Sequence, residues 1–161
     1  MTEHILVRAA DAEVLSDAPG SLITLLADSD SSGKRFTTNR ATLVRGVFGT
    51  PAHFHTRATE FFFVIDGSLQ VLVDDELHTL DKGDFLAVPP RVPHAFGPAK
   101  DSEADVLVVF TPGMDRFGYY RLLDRVARGA ADPKEIAESS QHYDNHYVDS
   151  PLWRQARADA A

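Results

Sequence analysis

His53 and His55 stand two positions apart, Glu60 follows after a four-residue gap, and His94 comes later behind Pro89-Pro90-Arg91-Val92-Pro93. Residues two apart on a strand point to the same face, so the first two imidazoles are expected to share one. A turn or bulge across the gap would bring the Glu60 carboxylate to that face, and the same parity continues through Phe62 and Val64. His94 arrives from a separate strand, with Phe96 next on its face. Imidazoles and a carboxylate gathered inside an apolar shell need something to neutralise them and occupy their lone pairs. A divalent metal does this best. With no cysteine in the chain, thiolate metal sites, disulfides and a cysteine nucleophile are excluded.

The surrounding residues suggest what such a site would face. Phe61-Phe62-Phe63 turns at least one ring inward in either parity, and Phe85 or Leu86, Phe96, Leu107 and Val109 are candidates for the same cavity. An apolar wall with few polar groups suits a hydrophobic aromatic small molecule better than a sugar or nucleotide, although small barrels are filled by such side chains in any case. Phe62, Val64 and Phe96 are therefore the expected substrate contacts. Arg57, in the gap, and Arg91, ahead of His94, either steer an anionic group at the barrel mouth or are simply solvated. His4, His78, His142 and His146 read as surface or packing residues; the last two are four apart, but Asp144-Asn145 interrupts any helix there.

The elements that must position these residues are mostly strands. Short apolar runs punctuated by Gly, Pro, Asp and Asn predict strands over 22–27, 41–48, 60–66, 68–73, 76–80, 84–88, 94–96 and 105–111, the spacing of an all-β sandwich or barrel. Asp66-Gly67 reads as a tight hairpin turn, and 28–34 as a polar, mobile loop. After Pro112, Met114, Phe117, Tyr120, Leu123 and Val126 recur at helical period, ending near Gly129. Asp132-Pro133 then opens a short helix through Ser139. The 161 residues suit one domain, 1–161, with a barrel core of about 20–111 and helices and tail over 113–161. Sixteen basic against 24 acidic residues, a net charge of -8, argue against nucleic-acid and anionic-membrane partners. Apolar runs are strand-sized and the acidic N-terminus is unlike a signal peptide, so a cytoplasmic location is expected. Edge strands left by an open jelly roll point to a homodimer.

His53-x-His55-x4-Glu60-x6-Gly67, followed by Gly83-x5-Pro89-x4-His94, resembles the two signature motifs of the cupin superfamily. The chain departs from the pattern at Val47, Arg91 and Pro98, none of which removes a ligand. The resemblance implies a double-stranded β-helix, a jelly roll, whose interior binds a divalent transition metal (Fe, Mn, Ni, Co or Zn). His53, His55 and His94 would ligate as neutral imidazoles and Glu60 as carboxylate, with positions left open for water, substrate or O2. Single-domain bacterial quercetin dioxygenase-like proteins are similar, and they share a Pro-Gly and Phe-bearing helix like Pro112-Gly113-Met114-Asp115-Arg116-Phe117. That similarity implies oxygenation of a flavonol-like enol, with Glu60 as ligand or general base. The alternatives are a non-redox cyclase or isomerase of aromatic polyketide type and a non-catalytic, metal-stabilised binder of small molecules.

Overall fold

The computed structural model describes residues 4–161; residues 1–3, including the Glu3 that counted against a leader, lie outside it. Ten strands run through the described residues: β1 (Val14–Ala18), β2 (Ser21–Ala27), β3 (Thr37–Leu43), β4 (His53–Phe54), β5 (Thr59–Val73), β6 (Glu76–Asp81), β7 (Phe85–Val88), β8 (His94–Pro98), β9 (Ala104–Thr111) and β10 (His146–Tyr147). Their order is β1-β2-β3-β9-β5-β8-β4-β10, with β6 and β7 also pairing with β5. The antiparallel array curls into a jelly-roll barrel, and four short helices follow: α1 (Phe117–Ala127), α2 (Lys134–Glu138), α3 (Ser140–Tyr143) and α4 (Pro151–Ala160). None is long and apolar enough to cross a membrane.

Asp66-Gly67 is not a hairpin turn. β5 runs through it unbroken, with a register shift against β9 between Val64 and Asp66. The positive φ of Gly67, 73°, serves a bulge as well as a turn, and a Cβ there would meet the Glu103 carbonyl at 2.0 Å. Before this bend β5 pairs with β7 and β9; beyond it, with β6 and β8. One strand thus carries Glu60 and also braces the strand that carries His94.

Other boundaries moved for tertiary reasons. The strand expected over 41–48 begins earlier, because the ladder with β9, from Thr37↔Phe110 to Leu43↔Ala104, sets its extent. β1 was not anticipated. The loop at 28–34 is a set of turns that buries Ser32, whose hydroxyl bonds to the Phe36 carbonyl at 2.5 Å. α1 starts three residues later than its apolar period suggested, since the Met114 carbonyl is taken by the Thr37 hydroxyl at 2.6 Å. α2 opens as expected: the Asp132 carboxylate accepts from the Lys134 N–H while Glu135 reaches back to the Asp132 N–H.

Three packed clusters hold the structure. The barrel interior is filled by Phe62, Val64, Leu69, Val71, Val106, Val108 and Phe110, among others. Tyr119 and Tyr120 of α1 pack on Leu15, Ile23 and Leu25 of β1 and β2. Trp153 and Ala156 of α4 pack on Leu72 and Ala95, where the Trp153 indole donates to the Thr50 carbonyl at 2.8 Å.

Candidate metal centre and its cavity

His53 comes from β4, His55 from the residue after Phe54, Glu60 from β5 and His94 from β8, paired in register with His53. One nitrogen or oxygen of each lies within 4.8 Å of those of the others, and all four side chains are buried. Each imidazole is oriented from behind. Nδ1 of His53 lies 2.8 Å from the Pro51 carbonyl, Nδ1 of His94 2.9 Å from that of Val92, and Nδ1 of His55 2.7 Å from that of Asp144. A carbonyl only accepts, so each Nδ1 carries a proton; a neutral ring then offers its lone pair at Nε2, whereas a ring donating to Glu60 from Nε2 is protonated at both nitrogens. Histidines that hold metals are anchored in this way.

The three Nε2 atoms surround Glu60. Its Oε2 lies 2.6 Å from Nε2 of His94 and 3.1 Å from that of His55, while Nε2 of His53 makes no hydrogen bond among the described residues. Burial, reinforced by the neighbouring His94 and His55, pushes His53 well below the ordinary histidine pKa. Burial also lowers His55, against the pull of Glu60. For His94 burial is outweighed by the Glu60 carboxylate, and the net shift is upward. Burial alone would raise Glu60, but His94 and His55 bring it well below the usual carboxylate range. Two neutral imidazoles beside a committed carboxylate form a donor set that fits a divalent cation.

His53 and Glu60 line a cavity of about 270 Å³. Its wall is built from Ile23, Ala41 and Leu43 of β2 and β3, Phe96 of β8, Val108 of β9, and Arg116, Tyr119, Tyr120 and Leu123 at the start of α1 and along it. Asp17, Asn39, Asn145 and Tyr147 also line it. The wall is therefore more polar than the sequence suggested. The Tyr120 hydroxyl donates to Asn39 Oδ1 at 3.0 Å, and the Tyr119 and Tyr147 hydroxyls bond to each other.

Of the expected substrate contacts, Phe96 lines this cavity. Phe62 and Val64 point inward as their parity required, but β5 carries them into the packed interior, where the ring of Phe62 meets that of Phe96 at 5.2 Å. Arg57 is 73% exposed and borders a separate surface recess. Arg91 is exposed too; its N–H closes the turn to the His55 carbonyl at 2.7 Å. Leu107 and Val109 lie on the other face of β9, which buries Val106, Val108 and Phe110, and Phe85 is exposed. Arg116, Tyr119, Asn39 and Asn145 escaped the sequence reading. One signal was present: Arg116, Tyr119, Tyr120 and Leu123 keep a three-to-four-residue helical spacing.

The barrel resembles known proteins. The cupin domain family matches residues 39–110. Quercetin 2,3-dioxygenase of Bacillus subtilis (strain 168) is 32% identical over 75 residues, 45% of this chain. The match spans about a fifth of that relative's length. An RmlC-like cupin from Shewanella frigidimarina superposes with a TM-score of 0.57 at 19% identity, over 72% of this chain and 96% of its own. Streptomyces Pac13, described as a nucleoside dehydratase and solved with uridine, gives 0.57 at 15% identity, over 96% and 98%. Residues 39–110 thus match the cupin domain family, and the barrel has the fold of cupin structures.

Proposed function

We propose that this cupin is a metal-dependent dioxygenase of a flavonol-like or other enol-bearing aromatic molecule, its metal held by His53, His55, His94 and Glu60. The observation that carries this reading is the convergence of three backbone-anchored imidazoles and one carboxylate at the wall of a buried cavity. A metal in such a set supplies Lewis acidity, lowering the pKa of an enol hydroxyl presented to it. The chain supplies the rest. Phe96, Val108 and Ile23 give the ring system an apolar wall and keep water out. With one Glu60 oxygen holding the metal, the other would be free to take the substrate proton. Its lowered pKa makes it a weak base, matched to an acidic enol rather than an aliphatic alcohol. The partial match to the Bacillus enzyme supports a flavonol as the first substrate to try.

The test is quercetin turnover by protein loaded separately with Fe, Mn, Co or Ni. Metal-dependent O2 uptake with loss of the flavonol absorbance is expected. No uptake with any of the four removes the dioxygenase assignment. The hydroxyls of Tyr119 and Tyr120 in the wall favour a second reading, a non-redox cyclase or isomerase in which they move protons. Conversion of a polyketide-like enol by the zinc-loaded protein, with no O2 consumed, distinguishes it.

A further inference from the structure

Two arginines are buried in this fold, and their surroundings differ. Arg157 is satisfied: it donates to the carbonyls of Val47, Phe48 and Pro98 and to Gln70 Oε1, all at 2.8–2.9 Å. Arg116, only 4% exposed, donates from Nη1 to Asn145 Oδ1 at 3.1 Å and lies beside the Tyr120 hydroxyl. Its Nε donates to nothing, and neither does Nδ2 of the equally buried Asn145. No carboxylate pairs with the Arg116 guanidinium among the described residues; instead Cζ lies 4.5 to 5.1 Å from the ring centroids of Tyr119, Tyr120 and Phe110. Aromatic faces stabilise a buried cation but do not satisfy its N–H groups.

We infer that Arg116, backed by Asn145, is a substrate-positioning group that selects ligands carrying a carboxylate. Both residues line the cavity that also holds Glu60 and His53. Phe110 touches both ends: its ring lies 5.4 Å from that of His55 and 5.1 Å from Arg116 Cζ. A ligand can therefore meet the metal-ligand cluster with one end and the guanidinium with the other. A cavity of about 270 Å³ has room for a compact ring system between the two. Charge balance agrees. A divalent ion and Arg116 against Glu60 and Asp17, the two carboxyls on the wall, leave the cavity positive even with both ionised. An anionic ligand neutralises that charge and supplies the acceptors that the protein withholds from Arg116 and Asn145.

The inference rests on the metal-site reading only for the cavity's other end, and its test needs no turnover. Zinc-loaded protein is titrated calorimetrically with 2-naphthoate and with 2-naphthamide, nearly isosteric but neutral. The native protein is expected to bind the acid at least about tenfold more tightly. In Arg116→Gln, with zinc content unchanged, that preference falls about tenfold. In the native protein the Arg116 Nε–H resonance is expected to shift with the acid and not with the amide, a readout that does not depend on a variant folding. Equal affinities in the native protein, a preference untouched in Arg116→Gln, or an unmoved resonance would overturn the inference. Zinc occupancy, measured alongside by elemental analysis, reports separately on the metal site.

Discussion

Asp144 joins the chain's C-terminal segment to the His53, His55, Glu60 and His94 cluster. Its carbonyl holds Nδ1 of His55, while its carboxylate accepts from the Thr56 N–H at 3.0 Å, the Thr56 hydroxyl at 2.8 Å and the Arg57 N–H at 3.3 Å. The residue sits in the left-handed region, φ 49°, which Asn tolerates nearly as well. Asp144→Asn therefore keeps the backbone but removes the charge that fixes the 55–57 turn. His55 would be oriented less tightly, and affinity for a bound metal is expected to fall about 10–100-fold, the usual effect of losing a partner behind a ligand. Competition with a calibrated chelator measures it, and an affinity equal to the native would show that the carboxylate does not position His55. The clustering of His53, His55, Glu60 and His94 was legible in the sequence because strand parity and a short gap relate three of them locally. Asp144 was not, since nothing local indicates that a residue after α3 will fold back over a loop 88 positions earlier in the chain.

The same division holds for the elements. The strands announced themselves through alternation and turn residues, although the bulge at Gly67 and the start of β3 were fixed only by their partners. α1 was legible as a helix, but the side chains it buries, including Tyr119, Leu122 and Asp124, depend on where it docks. That docking is set partly by Asp124, whose carboxylate accepts the Ser16 N–H of β1 at 3.0 Å and pairs with Arg128. The bond from Ser16, with help from Arg128, holds its carboxyl below the usual range. A depressed carboxyl contributes stability that is present above its unfolded value, about 3.9, and lost as pH falls through the folded one. Asp124→Asn should melt below the native protein near neutral pH, and the gap should close as the solution is acidified below roughly pH 4. Melting curves across that interval check it; a gap independent of pH would mean that the charge on Asp124 plays no part in docking α1.

At the scale of the molecule, the proposed ligands tie together segments that the chain separates widely. β4, β5 and β8 each contribute, and β4 is otherwise a two-residue strand held between β8 and β10. A cation bound by all four side chains would cross-link the barrel wall and stabilise the folded state by mass action, since the unfolded chain offers no such site. At a free metal concentration a hundredfold above Kd this amounts to about 2.7 kcal/mol. For a chain of this length each kcal/mol raises Tm by roughly 2–4 °C, so loading a chelated sample should raise it by about 5–10 °C. His53→Ala combined with His94→Ala removes two imidazoles that face each other across β4 and β8. The double variant should bind no metal and show no such rise, whatever its own Tm. A rise as large in the double variant as in the native protein would place the stabilising metal elsewhere on the molecule. Native protein that takes up metal stoichiometrically without a rise would mean that the unfolded chain binds the cation about as tightly as the folded one.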